Sequence, residues 1–245
     1  NSIVEASGDN QSGSVRSELA EPFVVRAEDE FGNPVSGASV TFSVQEAPSG
    51  ATGVSLSAES LSTNNSGEAS TTLTLGSATG RYGVLADSDV GSVEFSAIAV
   101  AGEADRFEFA QISSPQTAGS PFVLSLNALD ANGNLAESYS GTANLSTTAG
   151  DITPQSVTFS DGEASVNVAV SRAGAKQTIS AVDGSVSGTS NGFEVLPGVA
   201  SLAIITQQPG DVTAGESISP APAVRVEDDG GNPVEGVDVT VTNSD

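Results

Sequence analysis

The chain has 245 residues, no Cys, His, Met or Trp, and 31 acidic against 7 basic residues, for a formal net charge of −24 at pH 7. Affinity for phosphate comes from Lys and Arg, so this surface repels nucleic acid and anionic lipid, and Lys176 is the only lysine. Without His or Cys, the usual Ser and Cys catalytic triads are unavailable, and no disulfide staples the fold.

In chain order, the first strand candidate is Ile3–Ala6. Next, Phe23, Val25 and Ala27 alternate with Val24, Arg26 and Glu28, and Val40, Phe42 and Val44 alternate with Thr41 and Ser43. A period of two with one apolar face predicts strands that are buried on one side and wet on the other. Further candidates are Val54–Leu61, Ala69–Leu75, Tyr82–Ala86 and Val93–Val100, separated by turn signals such as Gly-Asn-Pro at 32–34 and Asn-Asn-Ser-Gly at 64–67. Seven strands at this spacing predict a two-sheet sandwich of immunoglobulin size. The same scheme returns with Phe122, Leu124, Leu126 and Ala128, then Ala143 and Leu145, Ala164 to Val170, Ile179 and Ala181, and Phe193 and Val195. A third pass supplies only Leu202–Ile205, Val224–Val226 and Val237–Val241. No helical periodicity competes.

Two markers set the register of these passes. Ala27-Glu-Asp-Glu-Phe-Gly-Asn-Pro34 returns as Ala128-Leu-Asp-Ala-Asn-Gly-Asn-Leu135 and as Val226-Glu-Asp-Asp-Gly-Gly-Asn-Pro233, and Gly67-Glu-Ala-Ser70 returns as Gly162-Glu-Ala-Ser165. A period of about 100 residues is too long for a solenoid unit and suits whole sandwiches. The expected domains are 1–102, 103–198 and the N-terminal part of a third over 199–245. The joints at 101–104 and 197–200 are too short for flexible tethers, which predicts an elongated, semi-rigid rod of tandem antiparallel sandwiches. No signal peptide and no membrane-spanning apolar stretch is found, and because the chain begins directly in a strand it is expected to be a piece of something longer.

Three motifs in order, Ser7-Gly-Asp-Asn-Gln-Ser-Gly13, Gly32-Asn-Pro-Val-Ser-Gly-Ala-Ser-Val-Thr-Phe42 and Ser66-Gly-Glu-Ala-Ser-Thr-Thr-Leu-Thr-Leu-Gly76, resemble the bacterial immunoglobulin-like repeats of the invasin and intimin type. The segment with Thr117-Ala-Gly-Ser-Pro121 and Ser138-Tyr-Ser-Gly-Thr142 resembles a divergent repeat of the same kind, and the third matches only over its first strands. The resemblance implies a stalk in a long surface protein that holds an adhesive tip away from the cell. It does not imply that these units bind a receptor, since the lectin-like tip of those adhesins has no counterpart here.

The recurring Asp is the candidate functional residue. Asp29, Asp130 and Asp228 share the parity of the buried residues before them, so each carboxylate should point inward where its strand leaves the sandwich. Two readings stand side by side. In one, Asp accepts hydrogen bonds from the amides of its own Gly-Asn turn. In the other, the loops at one pole of the second unit gather Asp130, Asp161 and Asp183 beside Glu103 and Asp105 of the linker into an oxygen-rich Ca²⁺ site. The equivalent first-unit set is Asp29, Glu30, Asp87 and Asp89, whereas the joint at 197–201 contains no acid. No cofactor is required in either reading. The Asn-X-Ser patterns at Asn10, Asn64 and Asn144 are read as chance in a Ser-rich chain, and one lysine cannot supply isopeptide bonds throughout.

Three function classes follow. A non-catalytic spacer of a bacterial cell-surface adhesin or other extracellular protein is favoured by the repeats and short joints, its partners being neighbouring repeats. A carbohydrate-binding module would stack sugars on exposed Trp or Tyr, and only Tyr82 and Tyr139 are available. A filament subunit would pair edge strands with other copies of itself.

Overall fold

The computed structural model describes residues 1–213 and 215–242; residues 214 and 243–245, which fall in the expected third unit, lie outside the described residues. Every regular element among the described residues is a strand. The chain divides into two compact units, one of 1–104 together with 129–136, the other of 105–128 and 137–245.

In the first unit, two sheets face each other. One contains Ser2–Ser7, Phe23–Glu28 and Glu68–Thr71 in that spatial order. The other runs Gln11–Ser14, Gly91–Val100, Gly80–Ser88, Ser39–Glu46 and Ser60–Ser62. The alternation read from the sequence is the alternation of burial: Phe23, Val25, Ala27, Val40 and Phe42 are all buried. Phe23 and Phe95 stack with ring centroids 4.8 Å apart. Burying side chains of this size is worth about 1.5–3 kcal/mol each, which makes this aromatic pair a principal source of stability in a domain with few aromatics.

Several expectations are corrected. Gln11–Ser14 is a strand that the sequence pattern hides, since its four residues are polar or glycine; it pairs parallel to Ala97–Val100, so the sandwich is not purely antiparallel. The single strand expected over Val54–Leu61 is two short pieces, Ser55–Leu56 and Ser60–Ser62, and the one over Ala69–Leu75 also divides, at Thr72. Val44 lies at the end of the burial pattern of its strand and is exposed. Tyr82 is fully buried and donates its hydroxyl to the Ala78 carbonyl at 2.8 Å, the hydrogen bond back across the preceding turn that marks a tyrosine corner in sandwich domains.

In the second unit, eight strands form one sheet in the order Ile152–Thr153, Glu163–Val170, Phe122–Leu129, Arg106–Phe109, Val186–Thr189, Ile179–Asp183, Thr142–Thr147, Ser156–Thr158. Gln116–Thr117, Phe193–Leu196 and Gly174–Gln177 form another. Arg106–Phe109 thus stitches what would be two layers into a continuous curve, and pairs parallel to its neighbour at Ser187. Phe107 stacks on Phe159 at 4.8 Å, and Tyr139 meets Phe159 edge-on at 5.1 Å. Gly188 is required by this packing, because a Cβ there would lie 2.1 Å from the Phe107 carbonyl oxygen. Phe122, expected to be buried, is only half-buried, while Phe193, 5.9 Å from it, is buried.

Beyond Gly198 a two-stranded sheet remains, Ala200–Gln207 against Ala223–Asp228. Of Val224, Val226, Val239 and Val241, all expected to be uncovered in a segment holding only its first strands, Val226 is half-buried and the other three are exposed, and no strand forms over Val237–Val241 among the described residues. The buried side chains of this segment belong instead to a turn: Glu227, Asp228 and Asn232.

Candidate functional site

That turn is built three times. At each copy, Asp Oδ1 accepts the main-chain N–H groups two and four residues on: Phe31 and Asn33 for Asp29, Asn132 and Asn134 for Asp130, Gly230 and Asn232 for Asp228, all at 2.8–2.9 Å. The Asp N–H in turn donates to the Asn carbonyl, and the Gly N–H to the Asp carbonyl. Gly32, Gly133 and Gly231 sit at φ of 80°, 89° and 76°, a conformation that side chains resist, which is why this position is glycine each time. The Asn side chain donates Nδ2 back to the carboxylate in all three. This is the turn-forming role of Asp, and the second marker supports it: the Gly67 and Gly162 carbonyls accept the N–H of Ala27 and Ala128, two residues before the Asp.

The copies differ in what lies outside the turn. Asp130 Oδ2 also accepts the Gly102 N–H at 3.0 Å, and Asn134 donates Nδ2 to the Ser77 carbonyl at 2.9 Å while its Oδ1 receives the Thr79 N–H. Asp228 Oδ2 accepts the Gly198 N–H at 2.6 Å, and Asn232 bridges to the Ser171 carbonyl and the Ala173 N–H at 2.9 and 2.8 Å. Both sets lie inside single compact units, because the 129–136 turn belongs to the first unit and the 228–232 turn to the second. Arg16 adds a bond from Nε to Asn132 Oδ1 at 2.6 Å. Asp130 is 1% exposed and Asp228 4%. Burial pushes both carboxyls up, but the N–H groups of Asn134, Gly102 and Asn132 around one, and of Asn232, Gly198 and Gly230 around the other, outweigh it and leave both below the usual carboxylate range.

Asp29 stands apart. Its carboxyl is also lowered, first by the Asn33 side chain and then by the Asn33 main chain. Among the described residues, however, Asp29 Oδ2 takes only the Asn33 amide, and the Asn33 side chain reaches nothing but Asp29.

The residues expected to bind Ca²⁺ are placed separately. Asp130 is held by the N–H donors just described. Asp183 accepts the Tyr139 hydroxyl at 2.6 Å, and burial with this carboxylate raises the tyrosine's pKa well above its ordinary value. Asp161 lies exposed at φ 52° beside the Ser160 hydroxyl, and Asp105 and Glu103 are exposed. Among the described residues, no three carboxylates come together in a way that could hold a metal ion. Neither tyrosine offers a free ring: Tyr82 is in the core and Tyr139 packs on Phe107 and Phe159. Arg16, Ser77, Thr79, Ser171 and Ala173 were not picked out by sequence. The one available signal was that Asn recurs four residues after each Asp, directly behind the turn glycine, while the other two residues between them vary.

No family model and no curated protein matches the chain. Among solved structures it is similar to the D0–D1 domain of intimin, with 17% identity and a TM-score of 0.32 over 79% of this chain and 96% of that one. It is similar to InvD of Yersinia pseudotuberculosis, with 16% identity and a TM-score of 0.42 over 95% of this chain and 71% of that one. It is also similar to invasin, a bacterial integrin-binding protein, with 18% identity and a TM-score of 0.37 over 97% of this chain. The chain spans 49% of the solved invasin chain. At these TM-scores and identities the likenesses say nothing about what this chain binds.

Proposed function

We propose that this chain is a non-catalytic structural spacer of a large extracellular protein on a bacterial cell surface, made of sandwich repeats over 1–102, 103–198 and the start of a third over 199–245. What carries the reading is how the most distinctive polar residues are spent. Asp130, Asn134, Asp228 and Asn232 are committed to backbone groups of Gly102, Ser77, Thr79, Gly198, Ser171 and Ala173, tying the start of one repeat to the end of the one before it. A ligand-binding module keeps such groups available; a spacer uses them to stiffen its joints, because buried polar groups must be paired and a fully paired set rigidifies.

The test uses the absence of native cysteine. Spin labels on Ser60→Cys and Thr158→Cys, both at exposed positions, report the spread of distances across the first joint. A narrow distribution that broadens on adding Asp130→Ala and Asn134→Ala is expected. A parent chain whose distribution is already as wide as that of the variant would remove the basis for a stiff spacer.

A further inference from the structure

The joints at Asp130 and Asp228 are built alike except at one pair of positions. Arg16 and Gly119 are equivalent: their N–H groups donate to the equivalent carbonyls of Gly76 and Val170 at 3.0 and 2.8 Å, and the residues before them, Val15 and Ala118, donate to Val100 and Leu196, both at 2.9 Å. Both are left-handed, with φ of 61° and 75°. Glycine adopts that backbone freely and arginine does not, so the first sandwich carries a local strain that the second avoids. The arginine is aimed by it. Its Nε donates to Asn132 Oδ1 at 2.6 Å and its Nη2 to the Thr52 hydroxyl at 3.4 Å. At the other joint the residue in the place of Asn132 is Gly230, and a Cβ there would lie 2.5 Å from the Ser171 carbonyl oxygen, although the Gly230 backbone is not left-handed and suits any residue. Ser77 is the equivalent of Ser171, each receiving the amide of its turn asparagine, and there the turn stands far enough off for Asn132 to fit.

We propose that residues 16 and 119 set which turn each sandwich accepts: Arg16 takes a turn with an amide oxygen at its third position, as Asn132 supplies, and Gly119 takes a turn with no side chain there, as Gly230 supplies. The rule rests on the repeat boundaries proposed above. It works through two mismatches of unequal size. A turn of the Gly230 kind set against Arg16 loses one hydrogen bond from an exposed guanidinium, which water replaces, so the penalty is small. An asparagine set against Ser171 drives a Cβ into a main-chain oxygen that cannot rotate away, so that penalty is large. Arg16 thus props its turn off the sandwich at the distance Asn132 needs, whereas the groove flanked by Gly119, Ser171, Asp228 and Gly230 is open, about 420 Å³ in volume. Asp151 stands where Thr52 does, its N–H on the Ser171 hydroxyl as the Thr52 N–H is on that of Ser77, so a guanidinium placed at 119 has a carboxylate at hand in place of a hydroxyl.

Two double-substitution cycles in the whole chain, read by amide hydrogen exchange, test the rule. At the first joint, Arg16→Ala keeps a Cβ on the left-handed backbone and removes only the guanidinium. Arg16→Ala and Asn132→Ala should each speed exchange of the Thr79 and Gly102 N–H groups about threefold, and the two together should do no more than either alone. At the second joint, Gly230→Asn should speed exchange of the Ala173 and Gly198 N–H groups about tenfold or more, and adding Gly119→Arg should recover most of that loss. Unchanged exchange in the paired strands at 122–127 and 163–168 reports that the second sandwich is intact throughout. Additive effects at the first joint, or an equal loss at the second with and without Gly119→Arg, overturn the proposal. A narrow label distance with additive exchange effects rejects the pairing rule alone, whereas a broad label distance with non-additive effects and recovery rejects only the stiff spacer.

Discussion

The turns at Asp29 and Asp228 have nearly the same internal hydrogen bonds and opposite environments. Asp228 and Asn232 are buried in the sparsest part of the chain, where Leu202, Ile205 and Val224 are left exposed. Asp29 and Asn33 project from a well-packed sandwich, with Phe31 and Asn33 in solvent. A turn's shape is therefore set by its own five residues, while its burial is set by whichever loop lies over it. The two terms can be separated by substitution.

The largest effect should come from removing the outward bonds where they are made. Asp228→Ala strands the Gly198, Gly230 and Asn232 N–H groups, and Asp130→Ala does the same to Gly102, Asn132 and Asn134. Leaving buried donors unpaired costs about 1–3 kcal/mol. Hydrogen exchange should show the loss locally, at 200–207 and 171–173 for the first and at 77–79 for the second. Next, Gly→Ala should cost about 1 kcal/mol and should cost alike at Gly32, Gly133 and Gly231, since all three need a left-handed backbone whatever their surroundings. A cost confined to Gly133 and Gly231 would mean that the shape of the turn is imposed by its neighbours.

Acid gives a smaller and graded effect. The carboxyls of Asp130 and Asp228 are lowered in the folded state, so their stabilisation is complete above the unfolded value of about 3.9 and is lost as pH falls through the lower folded value. Exchange protection around Gly102 and Gly198 should therefore decline only below about pH 4. Smallest of all, Asp29→Ala should lower the melting midpoint of the 245-residue chain less than Asp130→Ala or Asp228→Ala does, because its half-buried carboxylate bonds only within its own turn. Millimolar calcium is expected to be silent; a midpoint that rises with calcium, and stops rising in Asp130→Ala, would bring the metal reading back.

Much of this was legible in the sequence. The alternation of Phe23, Val25 and Ala27 gave the strand and its buried face, and continuing the parity placed Asp130 and Asp228 inward, whereas Asp29, on the same parity, is only half-buried because no loop among the described residues lies over it. Gln11–Ser14 was not legible, since a short edge strand of polar residues carries no burial pattern. The outward partners were hidden for a different reason. Asn134 reaches back 57 residues to Ser77 and Asn232 61 residues to Ser171, and in both cases the acceptor is a main-chain carbonyl that any amino acid would supply. A side chain can announce that it will form a hydrogen bond; a carbonyl cannot announce that it will receive one.

That asymmetry bears on how such a chain evolves. One side of each joint is a fixed Asp and Asn; the other, apart from Arg16, is bare backbone with no sequence requirement beyond its path. On the repeat boundaries proposed above, the Asp and Asn bonds alone would let a copy be duplicated, exchanged or deleted without a matching change in the neighbour, since a main-chain carbonyl and amide are supplied by any sequence that keeps the path. The segments around Ser77 and Ser171, Leu-Gly-Ser-Ala-Thr at 75–79 against Ala-Val-Ser-Arg-Ala at 169–173, share only the serine, yet each presents a carbonyl at its third residue and an amide at its fifth to the asparagine of its turn.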